Sequence, residues 1–150
     1  MTSRTMIAAS PFELRAALPS DAVAIAALLT ELGHATSAAE LPARLRAVRA
    51  EGGEVLLAAA GGEAIGVMCL ARHSVLHGAG PVAYITALVT TASWRGKGVG
   101  RSFVRAAMAW AREQGCARIS VTSAEHRADA HAFYPSCGLP YTGRRFSATI

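Results

Sequence analysis

The segment "VAYITALVTTASWRGKGVGRSFVRAAMAWAREQG" (82–115) constrains the fold of this chain more than any other. It opens with nine apolar and β-branched residues without a charge (82–90), the pattern of a central strand buried on both faces. It closes with a helical repeat from about Val99 to Gln114, in which Phe103, Ala107, Trp110 and Ala111 share one side. Between them Gly96, Gly98 and Gly100 alternate with basic residues, Arg95, Lys97 and Arg101. The run "ARISVTS" (117–123) then reads as another strand, so the segment predicts a β–α–β crossover with a glycine-rich loop at the helix start.

The flanks extend that unit. "FELRAA" (12–17) alternates like a strand. A helix follows, with Ser20 or Asp21 as cap, Val23, Ile25, Leu28, Leu29 and Leu32 on its apolar face, and Gly33 as stop. A second helix is expected in 37–53, where Ser37 and Glu40 resemble a capping box and Leu41, Leu45 and Val48 face one way. "EVLLAAA" (54–60) and "AIGVMCLAR" (64–72) flank a Gly-Gly turn and predict a β-hairpin. "DAHAFY" (129–134) reads as a short helix stopped by Pro135, and the chain ends in a turn with one or two short strands. The fold class is therefore α/β in an α+β mixed arrangement: a mixed, mostly antiparallel central sheet with helices on both faces. One domain spans 1–150, with residues 1–10 expected to stand outside the ordered part.

Composition narrows the function classes. At 52% apolar residues the chain is not a disordered one. No apolar run reaches the roughly 18 residues of a membrane span, and the N-terminus lacks a secretory signal, so a soluble cytoplasmic protein is expected. Cys69, Cys116 and Cys137 are scattered and read as buried hydrophobes. His34, His73, His77, His126 and His131 show no ligand spacing, so no metal is expected. Residues 1–75 carry six basic and seven acidic side chains, whereas 76–150 carry nine and three. The second half should meet an anion. Nucleic acid is not expected, since aromatic interleaving and any reading motif are missing.

Counting positions in the loop excludes two phosphate-binding signatures. A Walker loop from Gly96 needs glycine at 101, which is Arg101; a dinucleotide fingerprint from Gly98 needs glycine at 103, which is Phe103. The physical content survives both exclusions. Amides between a buried strand and a helix N-terminus converge on one concavity, and the helix dipole adds positive potential there. Glycines remove the Cβ atoms that would keep a phosphate away.

"R-G-K-G-V-G" after an apolar strand resembles the Q/R-x-x-G-x-G/A acetyl-CoA loop of GNAT-type N-acetyltransferases. "EHRADAHAFYPSCGL" is similar to that family's later motif, where a helix ends in Phe-Tyr before a glycine turn. The resemblance covers roughly 82–146 by motif and the rest by element order. It implies acetyl transfer from acetyl-CoA to an amine by direct attack. The loop Arg95, Gly96, Lys97, Gly98, Val99, Gly100, with Arg101 and Ser102 at the helix start, would hold the coenzyme A diphosphate. Leu88, Val89 and Thr90 would line a gap beside a bulged strand for the pantetheine arm, and an N–H near Leu88 or Val89 would polarise the thioester carbonyl. Tyr134 aligns with a tyrosine often used as general acid, and His126 stands where many members have a coenzyme-contacting asparagine.

The sequence departs from the pattern at the base. "Tyr84-Ile85-Thr86-Ala87" has no carboxylate where many members place a glutamate. Thr86 could order a relay water; Tyr84, His73 and His77 are the other candidates. The missing carboxylate motivates the alternative of a degenerate acyl-CoA-binding module. The acceptor is expected to be a small-molecule or peptide amine, and the protein a monomer or homodimer without membrane association.

Overall fold

Strand periodicity sorts the apolar residues of this chain onto two sides of one sheet. The computed structural model describes residues 10–122 and 128–150. Its strands are β1 (Glu13–Ala16), β2 (Glu54–Ala60), β3 (Glu63–His73), β4 (Val82–Thr90) and β5 (Arg118–Val121). They lie in the order β1-β2-β3-β4-β5. The first three pairings are antiparallel and β4 with β5 is parallel, which makes the sheet mixed. The β2–β3 turn uses Gly61 and Gly62 at φ +56° and +80°, the positive pair whose twist matches that of the strands.

The helices are α1 (Ala22–Leu32), α2 (Leu41–Ala50), α3 (Val99–Glu113) and α4 (Ala128–Ser136). Neighbouring strand residues point to opposite faces. Thus Leu57 and Val67 pack beneath Ile25 and Leu28 of α1 and Leu41 and Leu45 of α2. Ala58 and Met68 pack instead against Val99, Phe103 and Ala107 of α3. The crossover from β4 through α3 to β5 sets α3 on the face opposite α1 and α2, as the parallel pairing requires.

One irregularity decides which way β4 faces. Cys69 pairs with Ala87 while Leu70 pairs with Ile85, so Thr86 is an extra residue on β4. Such a bulge bends its strand and interrupts the ladder. Without it, Ile85 and Val89 would share a face. With it, Ile85 packs in the α3 cluster and Val89 in the α1–α2 cluster.

Several local expectations need correction. Val23 is 75% exposed, because the buried stripe of α1 runs through Ala22, Ile25, Ala26 and Leu28 and Val23 falls on the far side. Neither Asp21 nor Ser37 caps its helix with a side-chain bond. Asp21 instead pairs with Arg15 at 2.7 and 2.8 Å and accepts the Leu18 N–H. α4 runs through Pro135 to Ser136: so near the helix end proline forfeits one bond, and the last turn closes through Cys137, Gly138 and Leu139 N–H groups onto Phe133, Tyr134 and Pro135 carbonyls. β5 is shorter than 117–123, and Ser123 lies outside the described residues.

The C-terminal strands are absent: residues 139–150 adopt no strand. Pro140 lacks an N–H, Gly143 is entropically costly, and Arg144 and Arg145 repel each other, so local preference does not suffice without a ladder to join. The expectation for residues 1–10 concerns, apart from Ser10, positions outside the described ones.

Candidate active site

The bulge at Thr86 and the end of the β4–β5 ladder create the site. The two strands pair only over Val82–Ile85 and Arg118–Val121. Past that point β4 continues to Thr90 with no ladder on its β5 side among the described residues. A cleft of about 640 Å³ opens there, with Leu88, Val89 and Thr90 as one wall and Ala130, Phe133 and Tyr134 of α4 as another.

The far end of the cleft is the glycine loop. Gly96 and Gly98 have φ of +74° and +87°, and a Cβ on either would meet no protein atom within 4 Å. These two positions need glycine for their backbone, and the space in front of them is open. Gly100 differs. A Cβ there would lie 3.0 Å from the Phe133 ring, so its glycine admits α4 rather than a ligand. The first helical bond of α3 runs from the Ser102 N–H to the Gly98 carbonyl at 3.0 Å. That leaves the N–H groups of Val99, Gly100 and Arg101 at the open helix start, and Gly98 has no side chain with which to cap them.

Cations surround these amides. Arg95 lines the cleft, its Nε 3.4 Å from the Thr90 carbonyl and its Nη2 3.9 Å from a Glu31 carboxylate oxygen. Arg101 lines it too and reaches the Ser136 carbonyl at 3.3 Å, tying the start of α3 to the end of α4. Lys97 lies outside the lining; its ammonium stands 4.9 Å from the centre of the Trp94 ring, which meets Phe12 edge-on.

Of the residues singled out in the sequence, the structure brings Leu88, Val89, Thr90, Arg95, Gly96, Gly98, Val99, Gly100, Arg101 and Tyr134 to one cleft. Thr86, Lys97 and Ser102 lie outside its lining, and His126 lies outside the described residues. Thr86 is exposed at the bulge, its hydroxyl 3.3 Å from the Cys69 carbonyl. Burial pushes the Cys69 thiol up, against a smaller opposing effect of the Thr86 hydroxyl, so this sulfur is a poor nucleophile. Tyr84 packs its ring 5.2 Å from that of His73, and neither they nor His77 line the cleft.

Sequence reading missed Glu31, Leu32, Trp94, Asp129, Ala130 and Phe133 as lining residues. Only Glu31 carried a signal: it is the single charged side chain in the α1 run "AVAIAALLTEL".

The cleft begins where the parallel β4–β5 ladder ends and runs to a helix start flanked by Arg95 and Arg101, an arrangement whose shape and charge suit an elongated anionic ligand. A family model described as the Acetyltransferase (GNAT) family matches residues 24–139. The chain is 33% identical over 142 residues to an aminoglycoside N(6′)-acetyltransferase type 1 of Stenotrophomonas maltophilia, covering 93% of this chain and 92% of that one. A putative acetyltransferase from Agrobacterium tumefaciens matches in structure at TM-score 0.81 with 29% identity, over 92% of this chain and 99% of the other. An aminoglycoside N-acetyltransferase solved in complex with CoA shares the fold at TM-score 0.81 and 17% identity, over 93% and 94% of the two chains. The chain belongs to the GNAT acetyltransferase family. It is an acyltransferase that moves an acetyl group from acetyl-CoA to an amine. No helix among the described residues is long and apolar enough to cross a membrane.

Proposed function

We propose that the cleft holds acetyl-CoA along its length and presents the acetyl group to an amino-sugar amine of the aminoglycoside type, which attacks directly. The observation that carries the donor half is the cradle itself. Gly96 and Gly98 are open to the cleft at positive φ beside the uncapped start of α3, and Arg95 and Arg101 line it. A diphosphate fits that donor set, because several amides and two guanidinium groups then share two negative charges.

Acetyl-CoA supplies an activated thioester when bound. The chain's own residues bind, orient and move protons. Arg95 to Gly100, with Arg101 and Ser102, hold the diphosphate, and Lys97 balances it from the loop's outer side. Leu88, Val89 and Thr90 guide the pantetheine arm, and the N–H of Leu88 or Val89 donates to the thioester carbonyl, where a fixed donor is worth most. Tyr134 protonates the departing sulfur. Thr86, exposed at the bulge, orders a water that accepts the amine proton. No cysteine intermediate is used, in keeping with the raised Cys69 thiol.

The acceptor assignment is supported by the 33% identical relative, whose name is that of an aminoglycoside N(6′)-acetyltransferase. Titration calorimetry with acetyl-CoA, followed by a thiol-release assay over amino sugars, polyamines and peptide amines, tests both halves. Expected are micromolar donor binding and the largest kcat/KM on an aminoglycoside with a free 6′-amine. No donor binding at high micromolar concentration refutes the cradle. Tight binding without turnover on any amine refutes catalysis and leaves the degenerate acyl-CoA binder.

A further inference from the structure

Glu31 sits in the last turn of α1, where the helix dipole disfavours a carboxylate, and that turn contains no basic residue. Local helix stability therefore gives no reason for it. Its two oxygens are spent on a segment sixty residues away. Oε1 accepts the Ala92 N–H at 2.8 Å and Oε2 accepts the Thr91 hydroxyl at 3.0 Å. Thr91 and Ala92 are the hinge between β4 and the glycine loop. Thr91 is already tied to β3, its N–H meeting the Ile65 carbonyl at 2.8 Å. Ala92 begins a short 3-10 turn (Ala92–Trp94) that leads directly into Arg95. The carboxylate thus caps that turn and fixes the entry of the cradle from a different element. Oε1 also stands 3.9 Å from Arg95 Nη2, a loose ion pair to a guanidinium that lines the cleft.

We infer that Glu31 is a positioning residue for the donor: through Ala92, Thr91 and Arg95 it sets the diphosphate cradle before the donor arrives. The inference rests on reading the 95–102 loop as that cradle. It makes a prediction opposite in sign to simple electrostatics. A negative charge in an anion site should weaken binding, so its removal should tighten binding if charge alone counted. If positioning dominates, its removal weakens binding.

The test compares Glu31→Ala with Glu31→Gln. Glutamine keeps the geometry, its carbonyl accepting from Ala92 and its amide donating to the Thr91 oxygen. Calorimetry with CoA should show about a tenfold rise in Kd for Glu31→Ala and a return to within about threefold of wild type, or tighter, for Glu31→Gln. The kcat/KM of Glu31→Ala should fall on acetyl-CoA and hold on S-acetylpantetheine, which has no diphosphate. Tighter or unchanged CoA binding in Glu31→Ala overturns the inference. So do equal losses in both variants, or an equal loss on S-acetylpantetheine, which would mark general structural damage. If Glu31→Ala does not fold, Thr91→Val removes one bond from the loop side and is read against the same two donors. Wild-type protein that fails to bind CoA would sink the cradle itself, an outcome separable from any effect of Glu31.

Discussion

Gly98→Ala separates what the glycine loop owes to its backbone from what it owes to its ligand. Gly98 has φ +87° and ψ 4° as the N-cap of α3, and a Cβ would meet no protein atom within 4 Å. Packing therefore contributes nothing to the cost of alanine. What remains is the left-handed conformation, about 1–2 kcal/mol for a residue with a Cβ. For a domain of this size that lowers Tm by about 2–8 °C. The new methyl also projects into the open space before the amides, so donor binding should weaken beyond what the stability loss explains, by about tenfold or more in Kd. Gly100→Ala is the internal control. Its position is helical, so alanine gains up to about 1 kcal/mol of helix preference, against a contact of 3.0 Å with the Phe133 ring that forces the ring to give way. Its Tm should move by a few degrees at most, and its donor affinity should fall through displacement of Phe133. Thermal unfolding with and without CoA, alongside calorimetry, reads both. A Gly98→Ala protein with wild-type Tm and wild-type CoA affinity would refute the reasoning.

Three further outcomes follow from the same geometry. Phe103→Ala empties the fully buried centre of the α3 cluster and should cost about 3–5 kcal/mol, read as a large fall in the urea midpoint with little change in m. Asp21 is held below its ordinary 3.8 chiefly by its hydrogen bonds from Arg15. Its contribution is thus present above about pH 4 and lost as pH falls through the lowered value, so the Tm gap between wild type and Asp21→Asn should stay constant from neutral pH down to about pH 4 and close only below that. Tyr134→Phe should lower kcat on acetyl-CoA by no more than about 10²-fold with KM held, because a thiolate leaves readily; an unchanged kcat would remove Tyr134 from proton transfer.

Patterned elements were legible from sequence, and singular ones were not. The run 82–90 became β4 to the residue, and Gly61–Gly62 marked the β2–β3 hairpin, because β-branched runs and positive-φ turns are decided locally. Val23 was misplaced because an alanine-rich helix leaves the buried stripe to tertiary contacts. The C-terminal strands were misjudged because a strand exists only by its ladder. In the site, the glycine loop announced itself through backbone chemistry. Phe133 and Asp129 did not, and Glu31 showed only as a lone charge in an apolar helix, since their role depends on α1 and α4 approaching a loop distant in sequence. A bulge in this strand was implied by the family resemblance, but no residue marked its place at Thr86, which sets the facing of β4 and so the wall of the cleft.

The same placement bears on the proton that the attacking amine must lose. Two carboxylates, Glu31 and Asp129, line the cleft among the described residues. Both oxygens of Glu31 are committed to Ala92 and Thr91, and a carboxylate bonded that way is held for structure rather than proton transfer. Asp129 stands in the first turn of α4, on the α4 wall of the cleft. With a water on Thr86 as relay, no group of the enzyme titrates as the base, and the acceptor's own amine sets the pH dependence. The ascending limb of kcat/KM should therefore move with amine pKa when acceptors of different basicity are compared, and Glu31→Gln should leave its position unchanged. A limb that stays at one pH whatever the acceptor would reveal an enzyme base and overturn the relay.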